Sequence, residues 1–235
     1  MAAMDPLIDK LDATLATNYP EYHSALGPGS PTEDIDELER VLGLPLPPLY
    51  RDFLAWRGPS PDGATVEAGS LIYNQDLMTA REVIRTITMM RELRAADPSW
   101  VTSAWWGENY LPILDNHAGD NICIDVTGEA LLKETRWNEA TRSWDHVQNW
   151  PSTAGQVIDF THDAEFREIQ APDFASWIAA ITAVFEDRRF DTHQATYSGT
   201  PYIGFDDDAE DHVKAAFGAR NPGYPKWLEQ QLWTD

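Results

Sequence analysis

The hydrophobic period of this chain changes twice along its length, and that constrains the fold more than any single residue. Through about residue 96, apolar residues recur every three or four positions. From Trp100 to Phe160, short apolar runs and alternation take over, and from Phe174 to Phe185 the helical period returns. Helices, then a strand meander, then a helix make an α+β layout with a mostly antiparallel sheet.

In the first part, Leu7, Ile8, Leu11 and Leu15 predict a short amphipathic helix, and a Gly- and Pro-rich break follows from Asn18 to Pro31. Ser30-Pro31-Thr32-Glu33 reads as a helix start, with Ser30 as cap and Glu33 reaching back to complete a capping box. Ile35, Leu38 and Leu42 form its stripe and Gly43 ends it. A second helix is expected from Pro48, with Tyr50, Phe53 and Leu54 inward and a stop at Arg57-Gly58-Pro59. Leu71-Ile72-Tyr73 predicts a strand. Asp76 is expected to cap a long helix burying Leu77, Val83, Ile84, Ile87, Met90 and Leu93, ended by Asp97-Pro98. Its outer face holds Arg81, Arg85, Arg91 and Arg94.

The strand region carries Leu111 to Leu114, then Asn121 to Val126, where Ile122, Ile124 and Val126 alternate with Asn121, Cys123 and Asp125. Ala130 to Trp137 and Trp144 to Trp150 predict a hairpin, and Gln156 to Phe160 a further strand. The closing helix buries Phe174, Trp177, Ile178, Ile181, Val184 and Phe185. After Arg188 no period is sustained, yet Tyr197, Tyr202, Phe205, Phe217, Tyr224, Trp227 and Trp233 are too apolar for a free linker. The expected organisation is one domain over residues 1–187. An aromatic-rich extension over 188–235 would wrap over the domain or a partner, with a short helix from Asp208 to Phe217.

At 235 residues, 43% hydrophobic and with 10 Trp, the chain has material for one sizeable core, so disorder is not expected. With 39 acidic against 17 basic side chains, the formal charge is -22. That balance repels phosphates and anionic membranes, so neither nucleic acid nor a membrane surface is an expected partner. It steers in a basic one, although acidity also simply serves solubility. Cys123 is the single cysteine, which excludes an intrachain disulfide and a cysteine-based metal cluster. The first twenty residues carry Asp5, Asp9 and Asp12 without a long apolar run, and no apolar stretch spans a membrane, so a cytoplasmic protein is expected.

One set of spacings goes further than periodicity. The run Ile35-x-x-Leu-Glu39-x-x-Leu42-Gly43-x-x-Leu46-Pro47-x-x-Tyr50-Arg51-x-Phe53-Leu54, closing at Gly58, resembles the SUKH superfamily, which includes fungal cell-wall assembly regulators and bacterial immunity proteins. Gly69-x-Leu71, Leu111-Pro112-Ile113, Gly119-Asp120, Ile124-Asp125, Gly155-x-Val157 and Ala171-x-x-Phe174-x-x-Trp177-Ile178 follow in the order the resemblance implies, over 31–185. The resemblance implies a single α+β domain whose curved sheet binds a protein partner without catalysis. In bacteria it implies an antidote that occludes a polymorphic toxin, often a nuclease or deaminase.

Catalytic patterns are weak. Asp115, His117 and Asp120 share a turn without a second histidine at ligand spacing, and His162-Asp163 and Asp145-His146 are isolated pairs, so no metal is expected. Asp206 to Asp208 lacks the glycine and distal Glu of a calcium loop. No nucleophile elbow, phosphate loop or dinucleotide fingerprint occurs, and Cys123 reads as a buried thiol. Neither a cofactor nor an enzyme is expected. An enzyme using the acidic groups stays as a third reading, with Asp120 and Asp125 its test positions.

Binding has better material. Trp105 and Trp106 precede Glu108, and from Pro112 to Glu129 the charges are all acidic: Asp115, Asp120, Asp125 and Glu129. Together they suit a basic docking surface. Core tryptophans and turn-satisfying aspartates are the competing explanation. Trp144, His146, Gln148 and Trp150 alternate along one strand and are a second candidate contact face. The arginine face is the counter-signal, and it has the acidic tail as an alternative partner. The expected partner-binding residues are thus Trp105, Trp106, Glu108, Asp115, Asp120, Asp125, Trp144 and His146. The expected function is neutralisation of a basic toxin domain by stoichiometric binding; the alternative is a regulatory or scaffold protein of cell-wall assembly.

Overall fold

Pro6 opens α1 (Pro6–Asn18), where the Asp5 side chain accepts the Leu7 amide and Ile8, Leu11 and Leu15 turn inward. The structure, a computed structural model, describes residues 4–60, 70–102, 105–164, 166–196, 198–205 and 209–230. Gly69, Tyr197, Trp233 and residues 206–208, singled out above, lie outside those residues. The expected break after Asn18 contains a further helix, α2 (Pro20–Ala25). Six residues have no stable helix of their own, and the complete burial of Tyr22 holds this one in place.

The two-residue strands β1 (Gly27–Pro28) and β2 (Arg57–Gly58) pair on either side of α3 (Thr32–Leu42) and α4 (Pro48–Trp56). Gly43 ends α3 at φ 80°, a conformation glycine adopts without cost. The expected capping box at Ser30 is not formed: α3 starts without a side-chain cap, and the Ser30 hydroxyl accepts the Ala80 amide instead. The box stands at α5 (Ala80–Ala96), where Thr79 and Glu82 cap reciprocally. Asp76 is no cap. It lies in a strand, accepting hydrogen bonds from Ser70 and His117, and Leu77 lies there with it. Leu93 on α5 is exposed, and Trp100 belongs to α6 (Pro98–Thr102), not to a strand.

Among the described residues nine strands form one sheet. They are β3 (Ser70–Ile72), β4 (Gln75–Leu77), β5 (Tyr110–Asp115), β6 (Asn121–Asp125), β7 (Leu132–Asn138), β8 (Ser143–Asn149), β9 (Gln156–Phe160), β10 (Phe166–Ala171) and β13 (Lys226–Gln230). Their order is β3-β4-β5-β6-β9-β10-β13-β7-β8, and every pairing is antiparallel. The helix α7 (Phe174–Glu186) follows β10, β11 (Thr192–Gln194) pairs β12 (Pro201–Ile203), and α8 (Ala209–Arg220) packs on α7. The architecture is α+β.

Both sheet faces are covered near its centre. Ile122, Ile124 and Val157 join one cluster with α1, α4 and α7, while Cys123, Ile158, Phe160 and Ile169 join another with Trp105, Trp106 and Tyr110. The alternation read in β6 therefore has no wet side, and all five of its residues are buried. The segment after Arg188 does more than wrap. Its strand β13 sits inside the sheet, Arg167 opposite Leu228 on one side and Lys133 opposite Glu229 on the other. Leu228 is 1% exposed and belongs to the tryptophan cluster, whereas its neighbour Trp227 is 62% exposed. Leu228→Ala is expected to cost about 3 kcal/mol in urea unfolding, as a central core residue does, and Trp227→Ala under about 1 kcal/mol.

Candidate functional site

The tryptophans expected at a docking surface are core residues. Trp106 is fully buried against Tyr110 and Phe160, and Trp105 stacks on Trp100 and donates its indole N–H to the His162 carbonyl. Asp125 is buried too. It accepts the amides of Gly128, Glu129 and Ala130 and the side chain of Gln156, and burial still pushes its carboxyl above the usual range against those bonds. Glu129 accepts the amides of Glu108 and Asn109. The acidic strip is thus spent largely on loop amides, the role that buried aspartates fill in turns.

Glu108 pairs with Arg91 and Arg94, and Arg91 also donates to the Val41 and Leu42 carbonyls at the end of α3. Arg81 pairs with Asp34. Among the described residues the arginine face therefore ties α5 to α3 and to Glu108, not to the C-terminal segment. Asp115 and Asp120 keep partial exposure beside two histidines. Burial raises the Asp120 carboxyl, but hydrogen bonds from the His162 amide and ring and from Asn116 outweigh it and hold the carboxyl below its usual range. Burial lowers His117, yet Asp76 and Asp115 leave it above its ordinary value. Among the described residues no three His, Cys, Asp or Glu side chains gather as metal ligands would. The Cys123 thiol is buried, and burial holds it well above its ordinary range.

Trp144 and His146 are exposed on β8. A shift in pairing, from Glu134 opposite Gln148 to Thr135 opposite His146, leaves Val147 unpaired. That bulge puts Gln148 and Trp150 on the other face from Trp144 and His146, so the four do not share a surface. Trp150 packs against Tyr224 and the tryptophan cluster. Trp144 instead joins a ladder of rings across four strands. Trp137 lies 5.4 Å from Trp144, Trp144 5.7 Å from Phe166, and Phe166 5.9 Å from Trp227 in a stacked arrangement. Trp137, Trp144 and Trp227 are 40, 51 and 62% exposed.

Trp227 stands directly opposite Glu168 in the register of β13 and β10. The ladder thereby reaches a cleft of about 320 Å³ between the sheet and α8. Asp159, Glu168 and Gln170 line it from the sheet, Gln75 from β4, and Glu210, Lys214 and Phe217 from α8. Asp159 and Glu168 are directly cross-strand neighbours. Gln170 donates to Asp159 and accepts from the Trp177 indole. Burial first, and the charges of Glu168 and Asp120 second, push Asp159 up to about 7. Burial also raises Glu168, with Lys214 pulling the other way.

None of the polar side chains Gln75, Asp159, Glu168, Gln170, Glu210 and Lys214 of the cleft was singled out by sequence. Asp159 interrupts the apolar run Val157-Ile158-x-Phe160, which is a signal in itself, but Glu168 lies in β10, whose alternation is masked by Arg167 at a buried position. The buried Arg167 donates to the Thr161, Ala164 and Phe166 carbonyls and lies over the Phe160 ring.

Because Asp159 holds its proton in the fold to a higher pH than in the unfolded chain, the stability it contributes is lost as pH rises from about 4 through about 7. The stability of Asp159→Asn relative to the wild type is therefore expected to rise over that window, by up to about 4 kcal/mol, and then level off. Urea unfolding at a series of pH values measures it, and a pH-independent difference contradicts it.

No helix among the described residues is long and apolar enough to cross a membrane. No curated protein matches the chain. A family profile, that of the SMI1 / KNR4 family (SUKH-1), matches residues 29–180, from the turn before α3 into α7. That span covers well over half of the sequence, and the chain belongs to the SMI1 / KNR4 family (SUKH-1).

Proposed function

We propose that the protein is a non-enzymatic antidote, which neutralises a basic toxin domain of nuclease or deaminase type by stoichiometric association. The observation that carries the reading is the exposed ring ladder of Trp137, Trp144, Phe166 and Trp227. Three exposed tryptophans in one contiguous patch are the residue type that anchors protein interfaces, and leaving them in water has no benefit to an isolated fold. The charge of -22 adds long-range attraction for a basic partner and speeds the encounter. Family membership supports a protein partner in general. The reading keeps Trp144 and His146 from the sequence-based surface and replaces Trp105, Trp106 and Asp125 with Trp137, Phe166 and Trp227.

The same ladder serves a cell-wall assembly regulator equally well, and genomic context separates the two, since an antidote is encoded beside its toxin. Calorimetric titration with that neighbouring toxin domain tests the proposal. Trp144→Ala and Trp227→Ala are each expected to weaken binding by about 2 kcal/mol or more, and Arg85→Ala, on the exposed side of α5, to leave it unchanged. A neighbouring toxin that binds both tryptophan variants as it binds the wild type, or none at all, overturns it.

A further inference from the structure

The cleft beside the ladder holds a like-charged pair that the fold alone does not need. Asp159 and Glu168 face each other across adjacent strands, where like charges destabilise a sheet. Among the described residues no lysine or arginine comes within ion-pair distance of either, because Lys214 is held by Glu210 one helical turn away. A second, independent observation points to an occupant. Gln75 lines the same cleft, is 8% exposed, and its Oε1 is buried without a hydrogen-bond partner. An unmet acceptor and two carboxylates without a cationic partner among the described residues all call for a donor-rich cation. Ile72, Ile122 and Phe217 give the cleft an apolar stretch of wall as well.

We propose that this cleft receives one arginine side chain of the protein partner, its guanidinium on Asp159, Glu168 and the Gln75 carbonyl and its aliphatic stem on the apolar wall. Arginine fits better than lysine for three reasons. Its planar fork matches two neighbouring carboxylates, its weaker hydration lowers the cost of entry, and it keeps its proton beside any carboxylate. The ladder, which begins directly opposite Glu168, covers the mouth of the cleft with the rest of the partner. This rests on the reading of the protein as the binder of a basic partner and names what that partner inserts.

The test uses the full chain and a probe, n-butylguanidinium, with neutral n-butylurea as its isosteric control, followed by amide and indole NMR. The guanidinium is expected to shift the side-chain resonances of Gln75 and Gln170 and the Trp177 indole N–H, and the urea is not. The groups that face Asp159 are Glu168 and Arg167 of β10, Asp120 after β5, and Glu210 and Lys214 of α8. Asp159 itself is pushed up to about 7, so probe affinity is expected to rise about tenfold from roughly pH 6 to 8. Asp159→Asn and Glu168→Gln, each checked for an unchanged urea midpoint or better, are expected to lose the probe, whereas Trp144→Ala keeps it. Equal binding of guanidinium and urea, a flat pH profile in the wild type, or binding retained by both carboxylate variants overturns the proposal. Probe binding without any bound toxin leaves the cleft in place and removes the antidote reading. Toxin binding indifferent to both carboxylate variants does the reverse.

Discussion

The backbone ladder of β13 is the interaction on which the rest of the sheet depends. It joins β10 on one side and β7 on the other, so among the described residues the β7–β8 hairpin reaches the sheet only through a strand supplied from the far end of the sequence. A two-stranded hairpin alone is marginal in water. With β13 in place, Leu228 completes the cluster around Trp106, and Trp227 is held against Phe166. One strand therefore fixes a core residue on one face and a surface ring on the other, by the alternation every strand has.

This coupling brings the exposed rings next to the acidic cleft. Neither feature is formed by neighbours in sequence. The ladder draws on β7, β8, β10 and β13, and the cleft on β4, β9, β10 and α8. Glu168 belongs to both, as cross-strand partner of Asp159 on one side and of Trp227 on the other. A half-buried like-charge pair and an exposed aromatic patch are both features that stability alone disfavours. Their adjacency is what a shared binding role explains.

Elements with a full, uninterrupted hydrophobic period were legible. The α7 stripe and the β6 and β9 runs stand where their patterns put them, and Gly43 ends α3 as a left-handed cap. Elements held by tertiary burial were not. The short α2 depends on Tyr22, and β10 hides its period behind a buried arginine. Ser30 has the right residue type for a helix cap, but its hydroxyl is used by another helix, at Ala80. Trp105 and Trp106 look the same in sequence as Trp144 and Trp227, since a tryptophan is equally at home in a core or an interface.

The sequence by itself determined the class of the fold, the family spacing from Ile35 to Gly58 and the net charge of -22, because these follow from local period and composition. The tertiary structure alone decided which tryptophans meet solvent, which aspartates are consumed by loop amides, and which carboxylates are left facing each other. Those outcomes are set by strand order and register. A single strand from the end of the chain, placed between β10 and β7, changes them all, and no local pattern in Lys226–Gln230 records where it pairs.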